Sequence, residues 1–350
     1  MSRLILILIS MLVTNNVVAT TLTSLYQSQL PVSSQSAEER AQLAPKALKR
    51  VLLKVVGDSQ RLNSTDLTTL LDQADQFIEQ YQYHRMNTIS DDLTQPDILE
   101  LQFTFNEQEL NQAIKQIGLP IWGKSRPEIL LWVVVDNVGE RMIINEDSHI
   151  ISIANALKHT FKERGVFVIM PLMDLHDQLN INAADLWAGF SEPIINASQR
   201  YDAQVIVVAR VSLNSQGMMH IKWQSINTDK QEQWLSSGAN ALTTGLAELA
   251  DRTARSYTQD TDDHNAQRYV LQISNVKGYG DYIRIKKYLS NLITISNVEL
   301  AQLTSNSVEI NIVLSSNIST LNRTLAIDRV LEEEKYQPQS NNIMYYKLVL

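Results

Sequence analysis

Ile129-Leu-Leu-Trp-Val-Val-Val135 is an unbroken apolar run, mostly β-branched, with no polar residue at any second position. A strand with one wet face alternates, whereas a run of this kind belongs to a central strand buried on both faces. It therefore predicts a sheet with helices on either side. The flanking chain agrees. A helix is expected from about Asp147 to Arg164, with Ile150, Ile153, Ala154, Leu157 and Phe161 on its apolar face. Strand Val166–Met170, a helical stretch within 173–200 and a second buried strand, Val205–Val211, follow. A hairpin comes next, in which Met219, Ile221 and Trp223 alternate with His220, Lys222 and Gln224, so one of its faces is wet. A helix over about Leu242–Tyr257 closes an α/β middle domain, residues 127–258.

Upstream, Thr21–Val32 reads as a strand ended by Pro31 and a serine-rich turn. Ser36 and Glu39 form a capping-box pattern that opens a helix with Ala44, Ala47, Leu48, Val51, Leu52 and Val55 on one face. Gly57 stops it, and Pro45 is expected to kink or restart it. A second helix is expected from Thr65 to about Tyr81, capped by Ser64 or Thr65. Strands Tyr81–Met86 and Ile98–Phe105 and a helix Glu107–Ile117 complete a mixed α/β unit, residues 20–120. Gly118 to Pro127 is rich in turn formers and reads as a linker anchored by Trp122; residues 258–266, polar and acidic, read as a second linker. Beyond it, strand, helix, two strands, helix (about Ser319–Leu331) and strand (Met344–Leu350) give βαββαβ, a ferredoxin-like order, over residues 267–350. Glu332-Glu-Glu-Lys335 reads as a solvated helix end. The fold class is thus α/β and α+β, multi-domain.

The chain starts Met1-Ser2-Arg3, continues apolar from Leu4 to Val13 broken only by Ser10, and turns polar before Val17-Val18-Ala19. This is the layout of a cleavable secretory signal peptide, residues 1–19, cut between Ala19 and Thr20. About ten apolar residues of helix cover only about half of a hydrocarbon core, so no membrane span is expected once the signal is removed. There is no cysteine, hence no lipid-modified cysteine behind the signal and no disulfide. The expected location is the periplasm. Net charge is −8 and removing residues 1–19 takes one arginine and no acid. A surface this acidic argues against nucleic acid as a partner.

Gly118-x-x-x-x-Gly123-Lys124-Ser125 matches the phosphate-loop pattern formally. A working loop lies between a buried strand and a helix whose free amides hold the phosphates. Here a helix precedes, Arg126-Pro127 and a strand follow, and Pro120 removes an amide. No nucleotide is expected at Gly118, Gly123, Lys124 or Ser125. The six histidines are scattered, and none has zinc-ligand spacing. His264 beside Asp260, Asp262 and Asp263 lacks the turn glycine and bidentate glutamate of a calcium loop and reads as solvated linker. No Gly-x-Ser-x-Gly elbow occurs. Four Asn-x-Ser/Thr tripeptides, at Asn63, Asn196, Asn317 and Asn322, read as chance in a chain rich in those residues. No catalytic, metal or cofactor residue is assigned.

Three stretches carry a resemblance: Leu25 to Arg40 with the helix ending Val55-Val-Gly57, then Leu119-Pro-Ile-Trp-Gly123 with Arg126-Pro-Glu-Ile-Leu-Leu-Trp132, and the Tyr282–Ile293 helix. The chain resembles the domain-of-unknown-function family numbered two thousand and sixty-six, exported proteins of gammaproteobacteria. That resemblance implies an envelope location and transfers no functional residue. By element order the middle unit is also similar to the α/β amino-terminal domains of periplasmic Tol-system proteins and of outer-membrane lipoprotein activators. The functional expectation is a binding or scaffold protein of the cell envelope with an envelope protein as partner and no catalysis. The alternative is a periplasmic hydrolase with a carboxylate-based site between domains.

Overall fold

The computed structural model describes residues 25–86, 98–137, 139–145, 151–226, 231–258, 267–334 and 342–349. The signal segment, with Ala19 and Thr20, lies outside these residues, as do residues 146–150 and His264 with its aspartates. The chain is mixed α/β, built on three separate sheets.

The first sheet is formed by β1 (Gln27–Pro31), β2 (Ile78–Met86) and β3 (Ile98–Phe105), all antiparallel, with β3 in the middle. Leu101, Phe103 and Phe105 of β3 meet α1 (Ala37–Val56), whose Ala44, Leu48, Val51, Leu52 and Val55 are fully buried. Ser36 caps α1 by accepting from the Glu39 amide at 3.1 Å. The Glu39 carboxylate, however, reaches past the cap residue to the amides of Ser33 and Ser34 at 2.8 Å each. Gly57 ends the helix in the left-handed conformation, φ +78°. Of the two outcomes expected at Pro45, a restart does not occur: α1 runs through it as one helix. One lost bond and a crowded turn cost about 3 kcal/mol, while each leucine or valine buried on that face returns about 1.5–3 kcal/mol.

The expected helix over Thr65–Tyr81 is not formed. Instead α2 (Ser59–Ser64) and α3 (Thr68–Asp72) are short, a 3-10 turn spans Ala74–Phe77, and β2 begins at Ile78. Asp58 caps α2 through the Gln60 amide, Asp66 accepts from the Thr68 amide, and Thr65 between them is extended. Pairing with β3 then claims residues 78–81 for the sheet. Helix α4 (Glu107–Gln116) completes the unit.

The second sheet is centred on β4 (Glu128–Asn137). On one side β4 pairs with β5 (Glu140–Ile144, antiparallel) along its second half and with β6 (Phe167–Ile169, parallel) along its first. Between them in sequence is α5 (Ile151–Arg164). The stretch 173–200 forms three short helices, α6 (Leu175–Asn180), α7 (Ala183–Ala188) and α8 (Ser191–Ser198). Strand β7 (Val205–Leu213) runs parallel to β4, and β8 (Met219–Ile226) and β9 (Gln231–Ser237) extend the sheet antiparallel before α9 (Ala241–Tyr257). Both faces of β4 are buried, as its composition requires. Ile129, Leu131 and Val133 meet Leu246, Leu249 and Ala250 of α9, whereas Leu130, Trp132 and Val134 meet Ile181, Leu186 and Ile194. The alternation read for β8 fails at Gln224, which is buried because the turn between α7 and α8 covers its row.

The third sheet contains β10 (Arg268–Ser274), β11 (Ile295–Leu303), β12 (Ser307–Leu314), β13 (Leu331–Glu333) and β14 (Ile343–Leu348), in the order β11-β12-β10-β14-β13. Helices α10 (Tyr279–Asn291) and α11 (Ile318–Asp328) cover it through Tyr282, Ile285, Leu289, Leu321 and Leu325. Glu332 and Glu333 stand in an edge strand rather than at a helix end, because Arg329 takes the left-handed conformation and stops α11.

Candidate functional site

The residues of the phosphate-loop match meet at a junction of all three units. Gly118 caps α4 at φ +75° in open space. Lys124 Nζ pairs with Glu107 Oε2 of α4 at 2.6 Å. Ser125 Oγ donates to Asp328 Oδ2 of α11 at 2.8 Å, where Tyr288 donates as well at 2.9 Å. Burial raises the pKa of Asp328 despite those two donors. Gly123 supplies a carbonyl to Arg126 Nε at 3.0 Å. The segment read as a linker anchored by Trp122 buries Leu119, Trp122 and Arg126 while Gly118 and Lys124 stay exposed. The Trp122 amide donates to Val55 O at 2.7 Å, and the Arg126 guanidinium lies 4.0 Å from the centre of its ring. Arg126 then donates to Lys54 O (2.7 Å), Gly165 O (2.7 Å), Trp122 O (3.0 Å) and Arg164 O (3.2 Å), stitching α1 to the end of α5. Every donor of this arginine ends on a carbonyl, and burial is the main reason its pKa falls to about 9.

A carboxylate pair lies at the same junction. Asp58 accepts from the Gln60 amide at 3.0 Å and from Arg255 Nη1 at 3.3 Å. Asp251 of α9 accepts from the Ser59 amide (2.9 Å), from Ser59 Oγ (2.6 Å) and from Arg164 Nη2. Arg164 Nη2 also reaches Gly57 O at 2.7 Å. Asp58 and Asp251 are 2% and 4% exposed; both Asp251 oxygens accept from donors, and Asp58 accepts through Oδ1 with Arg61 Nε 3.7 Å from its Oδ2. This is a clamp, closed to a substrate. Lys54 beside it donates to Gln27 O at 2.7 Å, and burial pulls its pKa down to about 8. An unfolded lysine keeps its proton to about pH 10.4. Between about pH 8 and 10 the unfolded chain therefore holds the extra proton, and stability rises with pH. Urea unfolding at about pH 7.5 and 9.5 should show this gain in the unaltered protein and its loss in Lys54→Met.

Among the described residues no group of three or more His, Asp or Glu side chains is placed to hold a metal. Concavities among the described residues include the following pair. A shallow one of about 410 Å³ lies between Ile143, Met173, Gln178 and Ile181. Another of about 360 Å³ is lined by Leu325, Leu331, Tyr346 and Val349, with Arg329, Glu332 and Glu333 at hand. The first has no carboxylate in its lining, and the second has Glu332 and Glu333 beside Arg329. No helix among the described residues is long and apolar enough to cross a membrane.

Among the described residues, what stands open is a sheet edge. Strand β9 ends the second sheet, and its seven residues keep an unshifted register with β8 from His220↔Ser237 to Ile226↔Gln231. Free edges invite pairing, and proteins usually blunt them with bulges, proline, charge or brevity. Such devices occur on other edges of this chain. β11 has two register shifts, β1 ends in Pro31, β13 has three residues, and the first sheet's β2 carries Glu79 and Arg85 with Arg40 stacked 4.3 Å over Tyr81. On β9 the single charge, Glu232, points to the back and pairs with Arg252 of α9 at 2.9 Å. Leu235 points to the front and is 73% exposed. The edge is also held rigidly. Trp234 stacks on Trp223 at 5.8 Å and donates to Gly245 O at 3.2 Å, and a Cβ on Gly245 would lie 2.2 Å from the Trp223 ring. The sequence displayed Leu235 but gave no sign that β9 was last in its sheet.

A family model described as a domain of unknown function, DUF8605, matches residues 19–123. This corrects the resemblance drawn above: the family that matches is a different one. Its match includes Leu25–Arg40 and Leu119–Gly123, but Arg126–Trp132 and Tyr282–Ile293, which also carried the resemblance, lie outside it. No curated protein matches the chain. Among solved structures, the C-terminal domain of LpoB from Salmonella enterica is 20% identical, with 32% of this chain and 80% of that one covered, at a TM-score of 0.23. An uncharacterized protein is 10% identical over 37% of this chain and 88% of its own, at 0.15. At these TM-scores neither likeness bears on fold or role.

Proposed function

We propose that this chain is an exported cell-envelope protein that acts as a binding or scaffold module, docking an extended segment of another envelope protein along β9. The observation that carries the reading is the regular, unblunted edge of β9 with Leu235 exposed beside it. Added strands gain main-chain hydrogen bonds from such an edge and specificity from alternate side chains. In this reading residues 20–120, 127–258 and 267–350 are three units, the last a ferredoxin-like fold extended by β13. The junction holds them as one frame. The rival hydrolase would place its acid and base between units, where Asp58 and Asp251 are buried and engaged by Arg255 and Arg164.

A photo-crosslinking residue at Leu235 in intact cells should trap one envelope protein, while the same residue at exposed Ile283 of α10 should not. Equal capture from both positions would overturn the docking site. Fractionation checks the export: a protein still beginning at Met1 in the cytosol contradicts it, and a periplasmic chain beginning at Thr20 is the expected result.

A further inference from the structure

The front face of the second sheet is arranged in cross-strand rows. One row runs Ile143, Val134, Arg210, Lys222, Leu235, and the next runs Arg141, Asp136, Ser212, His220, Ser237. Helices α6–α8 cover the β4 end of the first row, where Val134 is fully buried. They leave the β8–β9 end bare, with Lys222 and Leu235 exposed and Arg210 partly so. Gly189 and the 59% exposed Phe190 wall the patch, since a Cβ on Gly189 would strike the Arg210 guanidinium.

Among the described residues, no carboxylate pairs with the cations of this patch. Arg210 donates Nε to Leu186 O at 2.9 Å and Nη2 to Gln224 Oε1, both neutral acceptors. Lys222 has no carboxylate partner among the described residues. The acid of these two rows, Asp136, is paired with Arg141 at 3.6 Å. Asp185 and Glu192 belong to α7 and α8, outside the rows. Among the described residues, Lys222 and Arg210 thus stand side by side without a carboxylate partner, in a chain of net charge −8.

We infer that the segment docked on β9 is acidic, carrying carboxylates at alternate positions on the front face, their stems passing over Leu235 toward Lys222, with Arg210 behind it in the same row. This rests on the strand-docking reading above. An added strand lies about 4.8 Å beyond β9 and roughly 10 Å from β8. A lysine stem and a glutamate reaching back span that gap. Complementary charge selects the partner and its register more than it adds raw affinity.

The test uses the full chain and labelled ten-residue peptides. One alternates glutamate with leucine, a second alternates lysine with leucine, and a third is the acidic peptide with alternate backbone amides N-methylated. The acidic peptide should bind at least about tenfold more tightly than the basic one, and more weakly as salt rises. Lys222→Glu, at an exposed position, should melt like the parent protein, lose about tenfold in affinity for the acidic peptide and gain for the basic one. Lys222→Arg should keep the preference. Equal binding of acidic and basic peptides, or an unaltered affinity in Lys222→Glu, overturns the charge inference and leaves edge docking standing. An N-methylated peptide that binds as tightly as its parent overturns strand addition while charge recognition stands. Binding of neither peptide overturns both.

Discussion

Asp251→Ala should lower the unfolding free energy by about 3–5 kcal/mol, the usual loss when one partner of a buried ion pair is removed. Arg164 would keep its bonds to Gly57 O and Ala247 O but lose its counter-charge. The amide and hydroxyl of Ser59 would lose their acceptor as well. Equilibrium urea unfolding reads the effect. Asp251→Asn should recover part of it, because one oxygen still accepts from Ser59. A double variant, Asp251→Leu with Arg164→Met, should be markedly more stable than Asp251→Ala, since it removes the stranded charge and fills the space. A loss below about 1 kcal/mol in Asp251→Ala would mean that the junction is not a stability element.

Gly57→Ala should cost about 2–5 kcal/mol for two separable reasons. The residue sits at φ +78°, where a Cβ costs roughly 1–2 kcal/mol. That Cβ would also lie 2.5 Å from Ala254 Cβ and 2.6 Å from the Trp122 ring, an overpacking penalty of about 1–3 kcal/mol. Trp122 cannot swing clear, being held under Arg126 and by its own amide bond to Val55. Gly118→Ala is the control: its φ is +75°, but nothing lies within 4 Å of the new methyl. The difference between the two variants in urea unfolding isolates the packing cost. Equal losses would refute the close approach of α1, α9 and Trp122.

The parts of the fold legible in the sequence are those whose cause is local. The Ile129–Val135 run needs cover on both faces whatever provides it. Ser36, Glu39 and Gly57 mark the ends of α1 through contacts within a few residues of themselves. The misreadings have distant causes. Residues 78–81 became strand because Thr104 and Phe105 pair with them, and Glu332 and Glu333 because β14 does. The turn-rich segment Gly118–Pro127 read as a linker anchored by Trp122 alone, since its other partners, Lys54, Gly165 and Asp328, are scattered along the chain. The candidate site was equally hidden. Lys222 and Leu235 are ordinary letters of a hairpin, and only sheet order makes their strand an edge.

The clamp between Ser59 and Asp251 also sets a timetable. Its two halves are 192 residues apart in sequence. At about 5–20 residues per second of synthesis, α2 exists for roughly ten to forty seconds before α9 can reach it. During that interval Asp58 and Ser59 face water, and Gly57 has neither Ala254 nor Trp122 against it for part of the time. The amino-terminal unit can collapse early around Leu48, Leu52 and Phe103, but it cannot lock. Full rigidity arrives late and all at once, when the middle sheet closes on the helix that carries Asp251.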